Sequence, residues 1–108
     1  MRIELHCHTK YSCDSLLCFL PLYLRCLWKK IDYIAITEHN NLRGAVAFEQ
    51  FCKDKGNRVH VIRGEEILTT EGEIIGLYLQ NEIAKGLTPE ETINQIQQQN
   101  GIVYIPHP

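Results

Sequence analysis

The sequence predicts an α/β fold of mostly parallel strands with one hairpin, and three observations lead to that prediction. Short apolar runs alternate with segments whose apolar residues recur at helical spacing, which is the pattern of strand and helix units in a parallel sheet. One later stretch contains two strand-like runs separated only by a turn, which predicts the hairpin. The 108 residues are 44% hydrophobic, enough to form a core. We therefore expect one α/β domain over residues 1–108.

The first strand is predicted at the start of the chain, where Ile3 opens an extended run that ends in two histidines. Because side chains alternate along a strand, His6 and His8 should share one face, and Cys7 should face the other way. Asp14 follows a turn-forming segment within reach of the same point. Imidazole and carboxylate together suit zinc, manganese or iron. The alternative is a surface strand that carries two histidines without binding metal.

Two helices and a second strand are predicted next. The helix over residues 20–30 has Pro21 in its first turn, where proline is tolerated. Residues 32–37 form a nearly continuous apolar run, which is typical of a parallel strand buried on both faces. Asn41 is placed to cap a helix over residues 42–55.

The second half of the chain predicts a third strand, a hairpin, a helix and a last strand. The third strand is expected over residues 59–62, and the hairpin over 67–79 with its turn at 71–72. The helix opens with a capping box at Thr88 and carries isoleucines inward. Residues 102–105 are again apolar, so we expect a buried strand there.

Charge and cysteine content narrow the class of partner. A net charge of −2 and a pI near 6.2 argue against bulk nucleic-acid binding and against acidic membranes, but they are compatible with a small phosphorylated substrate. The apolar stretch 16–28 is interrupted by Pro21 and Arg25, which indicates a buried helix and not a membrane anchor. An odd number of cysteines cannot all pair in disulfides, and the chain opens directly into a strand with no sign of a signal peptide. We therefore expect a cytoplasmic protein with free thiols: Cys7, Cys13, Cys18, Cys26 and Cys52.

Four histidines and a glutamate, residues that commonly bind metals, lie at or just after the ends of the predicted strands. In a parallel sheet all carboxyl ends meet at one rim, which is where such folds place their chemistry. Singly, each residue is equally compatible with a capping, loop or turn role, but their joint position predicts a site. His60 lies within a strand and is expected to be structural. Glu65 and Glu66 should face opposite sides, and alternation does not decide which one faces the rim. The residues predicted to meet at the rim are His6, His8, His39, Glu66 and His107.

These residues match four motifs of a known family. The chain resembles the PHP (polymerase and histidinol phosphatase) metal-dependent phosphoesterases over nearly its whole length. The matching motifs, in order, are His6-x-His8-Thr9 with Tyr11-Ser12-x-Asp14, Ile36-Thr37-Glu38-His39-Asn40, Gly64-Glu65-Glu66-Ile67, and Pro106-His107-Pro108.

The resemblance implies a fold, a site and an activity. The fold would be about the first half of a distorted (βα)7 barrel, and the cofactor a cluster of two or three divalent ions, zinc, manganese or iron. Metal-activated water would hydrolyse a small phosphomonoester or nucleotide-like substrate, with His6, His8, Glu66 and His107 at the reaction centre. The implied ligands are His6 and His8 on a first ion, Asp14 and His39 on a second, Glu66 bridging the first ion and a third, and His107 on the third. Glu38 would orient a ligand histidine.

The resemblance is incomplete, because the later ligands of the family and about half of the barrel have no counterpart in these residues. A truncated chain, a homo-oligomer that closes the sheet and a catalytically silent structural module are the alternatives. Hydrolysis of a bond other than a phosphoester would use the same site. Lys10 and Arg43 are candidate contacts for a substrate phosphate, with a solvated surface role as the alternative for both.

Overall fold

The structure is a computed structural model that describes the backbone of residues 2–7 and 16–105 and the side chains of residues 2–4 and 19–105. Within those residues, five strands and three helices follow one another. The α/β class agrees with the prediction, although six strands were expected. The bounds of the observed elements are β1 (Ile3–Cys7), α1 (Leu16–Trp28), β2 (Tyr33–His39), α2 (Arg43–Asp54), β3 (His60–Thr69), β4 (Gly72–Leu77), α3 (Pro89–Gln98) and β5 (Ile102–Tyr104).

The strands form one mixed sheet in the order β1-β2-β3-β4-β5. The pairings β1–β2 and β2–β3 are parallel, whereas β3–β4 and β4–β5 are antiparallel. The prediction of mostly parallel strands therefore holds for the first three strands only. Because β4 reverses direction and β5 reverses it again, β5 runs the same way as β1 to β3. Four strands thus direct their carboxyl ends to one rim.

All three helices pack on one face of the sheet. Ile34 and Ile36 of β2 lie in a core cluster with Phe48 of α2 and with residues of α1. A second cluster joins Ile67 of β3 to Ile96 of α3. By the sheet register, Ile34, Ile36 and Ile67 lie on the face that the helices cover. The opposite face carries a third cluster, which includes Ala35, Ile62 and Ile75.

Aromatic rings fasten α1 to α2. The Phe19 ring lies 5.3 Å from that of Phe48 and 5.8 Å from that of Phe51, centroid to centroid. Cys26 and Cys52 are buried in the same core, and no disulfide joins them. Burial raises the pKa of the Cys52 thiol to about 12, so this thiol is kept neutral and unreactive. The side chains of the other three cysteines lie outside the described residues.

The third strand is longer than predicted. Residues 59–62 and the first strand of the predicted hairpin are one ten-residue strand, β3, in which Gly64, Glu65 and Glu66 are central. Glycine and glutamate disfavour strands when exposed, but here the backbone is paired on both sides, by β2 and by β4. The hairpin register joins Thr69 to Gly72. The turn residues are therefore 70–71, one position before the predicted pair.

The predicted positions of Pro21 and of the α2 cap also need correction. Helix α1 begins at Leu16, so Pro21 is its sixth residue and not part of its first turn. Its missing N–H costs one helical hydrogen bond, while residues before and after it remain packed in the core. Helix α2 begins at Arg43 with Leu42 at the N-cap position. Asn41 still contributes, because its Oδ1 accepts a hydrogen bond of 3.0 Å from the Arg43 N–H.

The last helix matches its prediction, and the last strand does not. The Thr88 side chain caps α3 by accepting a hydrogen bond of 3.1 Å from the Glu91 N–H, and Ile96 is fully buried. Strand β5 was expected to be buried, but Ile102 is 54% and Tyr104 39% exposed. It is the outer strand of the sheet among the described residues, where only one neighbour covers it. None of the helices in the described part of the chain has both the length and the apolarity needed to cross a bilayer.

Candidate metal centre

Strands β2 and β3 bring a histidine and a glutamate together. His39 ends β2 and is the register partner of Glu66 in β3. Partners in parallel strands project from the same face of a sheet, and the His39 Nδ1 lies 3.6 Å from the Glu66 Oε1. The imidazole is 62% exposed, whereas the carboxylate is 4% exposed. The pair is therefore an accessible imidazole over a buried carboxylate.

Strand β4 adds a second carboxylate to this pair. The antiparallel register places Ile75 opposite Glu66, so Glu73, two residues before Ile75, projects from the same face. The Glu73 Oε2 lies 3.3 Å from the His39 Nδ1. One ligand atom from each of His39, Glu66 and Glu73 lies within 4.8 Å of the other two.

The donor set fits a divalent cation. Ligand atoms bound at roughly 2.0–2.2 Å from one ion lie about 3–4.4 Å apart, close to the spacing found between these three side chains. One imidazole and two carboxylates are common ligands of zinc, manganese and iron. His39, Glu66 and Glu73 could therefore hold one such ion between β2, β3 and β4.

Electrostatics within the cluster favour a bound positive charge. The pKa of Glu66 is raised to about 7, mainly by burial and also by the neighbouring Glu73 carboxylate, while His39 acts in the opposite direction. Two carboxylates at close range repel each other when both are ionised. A proton or a cation relieves that repulsion, and a divalent cation allows both carboxylates to stay ionised.

Asn40 ties the end of β2 to β3 beside the cluster. Its backbone is left-handed, with φ 58°, a conformation that asparagine adopts more readily than most residues. Its N–H donates to the Glu66 carbonyl at 3.0 Å, and its Oδ1 accepts from the Leu68 N–H at 3.1 Å. These two bonds continue the β2–β3 pairing past His39. The β2–β3 pairing before His39 and the hydrogen bonds of Asn40 after it therefore fix the position of His39 relative to Glu66.

Glu65 lies on the opposite face and is not part of the cluster. It is fully buried, is the register partner of Glu38, and its Oε1 accepts a hydrogen bond of 3.0 Å from the Ile83 N–H. Burial raises the pKa of Glu65 to about 7. Of the two adjacent glutamates, Glu66 is thus the one beside His39. Glu38 is also buried, and its role in orienting a ligand histidine stays a prediction.

Several predicted site residues lie outside what the structure describes. His6 belongs to β1, where the pairing with β2 shifts register between Glu4 and Cys7, but its side chain is outside the described residues. Arg43 is exposed and opens α2 close after His39. The predicted residues wholly outside the described ranges are His8, Lys10, Asp14 and His107.

Glu73 is the residue that the sequence reasoning missed. The observed turn at 70–71 pairs Glu66 with Ile75, and the predicted turn at 71–72 would pair it with Leu77. Odd-numbered residues of β4 share one face of the strand, so both registers place Glu73 on the face of Glu66. The parity of the hairpin was therefore a usable signal.

Sequence comparison finds relatives over the whole chain. Two uncharacterized proteins of Methanocaldococcus jannaschii are 45% and 36% identical to it, and each alignment covers 100% of this chain. The chain spans 68% of the first relative and 40% of the second. The DNA polymerase III subunit alpha of Chlamydia trachomatis is 36% identical over 66 residues, which cover 60% of this chain and 5% of that subunit.

Structure comparison and a family model agree with each other. A two-domain protein of Bacteroides vulgatus that contains a predicted PHP-like metal-dependent phosphoesterase superposes with a TM-score of 0.68 at 16% identity. The superposition covers 95% of this chain and 34% of that one, and it shows a shared fold. The family model of the PHP domain matches residues 4–105. The chain therefore belongs to the PHP domain family, as its four sequence motifs predicted.

Proposed function

We propose that this chain is a metal-dependent phosphoesterase, or the amino-terminal part of one, that hydrolyses a small phosphomonoester or nucleotide-like substrate with metal-activated water. The observation that carries the proposal is the approach of His39 to Glu66, 3.6 Å between Nδ1 and Oε1. These residues come from two different motifs of the chain, and the parallel register of β2 and β3 makes them neighbours. In this proposal the described sheet is the first part of a distorted (βα)7 barrel.

The chain's own residues would bind and position the ions. His39 and Glu66 supply ligand atoms at the rim, and we propose that His6, His8, Asp14 and His107 complete a cluster of two or three divalent ions. When bound, such ions increase the acidity of a coordinated water molecule and neutralise charge on phosphate oxygens. No serine or cysteine nucleophile is then required.

Substrate binding is proposed to involve the cations near the motifs. Arg43 is exposed at the first turn of α2, four residues after His39, and the amino terminus of a helix favours anions. Lys10 is a second candidate contact for phosphate. Small phosphorylated molecules, and not bulk nucleic acid or membranes, are the proposed partners, in a cytoplasmic setting.

A structural or interaction module without activity is the second proposal. The similarity to a DNA polymerase III subunit alpha occupies only 5% of that subunit, which supports the idea that such a domain can be one part of a larger assembly. The chain also spans only part of its two Methanocaldococcus jannaschii relatives. In this proposal the chain binds metal without hydrolysing a phosphoester, and a missing second half or a second copy completes the barrel.

Metal content tests the proposal directly. Elemental analysis of the purified protein should find at least one equivalent of zinc, manganese or iron per chain, and His39→Ala should lose most of it. His60→Ala is the matched control, because His60 is exposed and lies at the other end of β3. Its ring is tilted against that of Tyr33 in β2, with the centroids 5.1 Å apart. Absence of metal in the wild type, or equal metal in both variants, would contradict the proposed site.

Hydrolysis then separates the two functions. The metal-loaded protein should release phosphate from p-nitrophenyl phosphate or a nucleoside monophosphate, and His39→Ala should abolish that release while His60→Ala retains it. A protein that binds metal through His39 but hydrolyses none of a panel of phosphomonoesters would support the structural module instead.

A further inference from the structure

We propose that Glu73 is itself a metal ligand. Its carboxylate should increase the affinity of the site for Mn²⁺ more than the affinity for Zn²⁺. The inference rests on the proposed function and deepens it. It adds a carboxylate from β4 that the four sequence motifs do not contain.

The sheet places Glu73 as part of the site and not merely near it. His39, Glu66 and Glu73 come from three adjacent strands, β2, β3 and β4, and project from one face of the sheet. Glu73 approaches His39 more closely than Glu66 does, at 3.3 Å against 3.6 Å, and both carboxylates approach the same imidazole atom, Nδ1. Three donors that converge from three strands can surround a single ion.

The hairpin turn fixes the backbone next to Glu73. This residue follows Gly72, which starts β4 and pairs with Thr69. The Thr69 hydroxyl donates to the Gly72 carbonyl at 2.6 Å and accepts from the Glu71 N–H at 3.1 Å. The backbone beside Glu73 is therefore already fixed by the turn, so that binding an ion restricts only the side chain.

An ion pair with a protonated His39 is the competing explanation for Glu73. Such a pair would need no metal, and because His39 is largely exposed it would contribute little stability. It would also leave the buried Glu66 carboxylate beside a second carboxylate. A bound divalent ion satisfies both carboxylates and leaves the imidazole neutral, which is the form in which histidine binds metals.

The donor set determines which ion Glu73 should favour. Carboxylate oxygens suit Mg²⁺ and Mn²⁺, whereas imidazole suits Zn²⁺ and other later transition metals. Zn²⁺ binds more tightly than Mn²⁺ to most sites, so the relevant quantity is the change in affinity for each ion. Removing one carboxylate should weaken Mn²⁺ binding more than Zn²⁺ binding, and replacing it by imidazole should favour Zn²⁺.

Metal titrations of the full chain test this inference without an activity assay. The variant is Glu73→Gln, which preserves size and removes the charge, and the matched control is Glu71→Gln, which removes an exposed carboxylate from the same hairpin. Free Mn²⁺ is measured by electron paramagnetic resonance, and Zn²⁺ by competition with a chromophoric chelator. Thermal unfolding of the metal-free proteins verifies that both variants fold.

We expect Glu73→Gln to weaken Mn²⁺ binding at least about tenfold, with a smaller loss for Zn²⁺, and Glu71→Gln to stay within about twofold of the wild type. Glu73→His should shift the preference toward Zn²⁺. If Glu73→Gln matches Glu71→Gln while His39→Ala still abolishes binding, Glu73 is not a ligand and the proposed function stands. If the wild type binds neither ion, the proposed function and this inference both fail.

Discussion

A methyl group added at Gly64 should force β2 and β3 apart beside the candidate metal centre. Gly64 is buried in β3, between Thr37 of β2 and Leu77 of β4. A Cβ atom at Gly64 would lie 2.7 Å from the Thr37 Cγ2, 3.1 Å from the Gly76 carbonyl oxygen and 3.1 Å from the Leu77 Cδ2. The first distance is shorter than carbon atoms tolerate, so Gly64→Ala requires the sheet or the Thr37 side chain to move.

The expected cost follows from two opposing terms. Overpacking by one methyl group in a well-packed interior costs about 1–3 kcal/mol. Replacing glycine by alanine in a strand recovers about 0.5–1 kcal/mol, because the unfolded chain loses conformational freedom. The difference spans about 0–2.5 kcal/mol, and the 2.7 Å approach to the Thr37 Cγ2 places Gly64→Ala in its upper part, so the free energy of unfolding should fall by about 1–2.5 kcal/mol. Because Glu66 and His39 lie two residues beyond Gly64 and Thr37, metal affinity should fall as well.

A double-mutant cycle identifies the clash as the cause. Thr37→Ser removes Cγ2 and keeps the hydroxyl, so Gly64→Ala should cost about 1 kcal/mol less in the Thr37→Ser background than in the wild type. Gly76→Ala is the matched control in the neighbouring strand. Its Cβ would meet only side-chain atoms, of which the nearest is the Ile96 Cγ1 at 3.0 Å. Since side-chain ends can move, its cost should be smaller.

Urea unfolding in the presence of a chelator measures these free energies for the four proteins of the cycle and for Gly76→Ala. The free energies are calculated from the unfolding midpoints with the same m value for all five proteins. A Gly64→Ala protein as stable as the wild type would refute the steric reasoning. A cost that Thr37→Ser leaves unchanged would show that the clash lies with β4, at the Gly76 carbonyl oxygen or the Leu77 side chain.

Three further predictions concern single side chains. Burial raises the pKa of Glu65 from 4.5 to about 7, so its contribution to stability is complete below about pH 4.5 and is lost as the pH rises to about 7. Glu65→Gln should flatten this dependence and exceed the wild type at pH 8 by at most about 3 kcal/mol in urea unfolding; a lower stability at pH 8 would contradict the burial argument. Thr88→Ala should cost about 1 kcal/mol by removing the cap on the Glu91 N–H, and Thr88→Ser should recover most of it; equal melting temperatures for all three proteins would show that the cap is unimportant. Asn40→Gly keeps the left-handed backbone but loses the bond to the Leu68 N–H, so it should weaken metal binding, whereas Asn40→Asp retains an acceptor and should not; identical Mn²⁺ titrations of both would exclude a positioning role for Asn40.

Much of the architecture could be predicted because it depends on local patterns. The alternation of strands and helices, the cap at Thr88 and the inward Ile96 are properties of a few neighbouring residues. The approach of His39 to Glu66 could also be anticipated, because both residues were predicted to follow parallel strands, and the carboxyl ends of parallel strands meet at one rim.

Other features depend on distant parts of the chain. The continuity of β3 through Gly64 and Glu66 depends on pairing with β2 and β4 on either side. Helix α1 continues through Pro21, where local propensity predicts a first turn, because tertiary packing holds residues on both sides of it. The exposure of β5 follows from its place at the outside of the described sheet. None of these is encoded by periodicity alone.

The sequence by itself predicted the family, the α/β class and a set of candidate ligand residues, because motifs and amphipathic patterns are local and chemical. Only the tertiary structure showed that the Glu66 and Glu73 carboxylates lie 3.6 Å and 3.3 Å from the same His39 Nδ1. The physical reason is that a side chain's face depends on strand register, and register is set by pairing between strands that are separated along the chain.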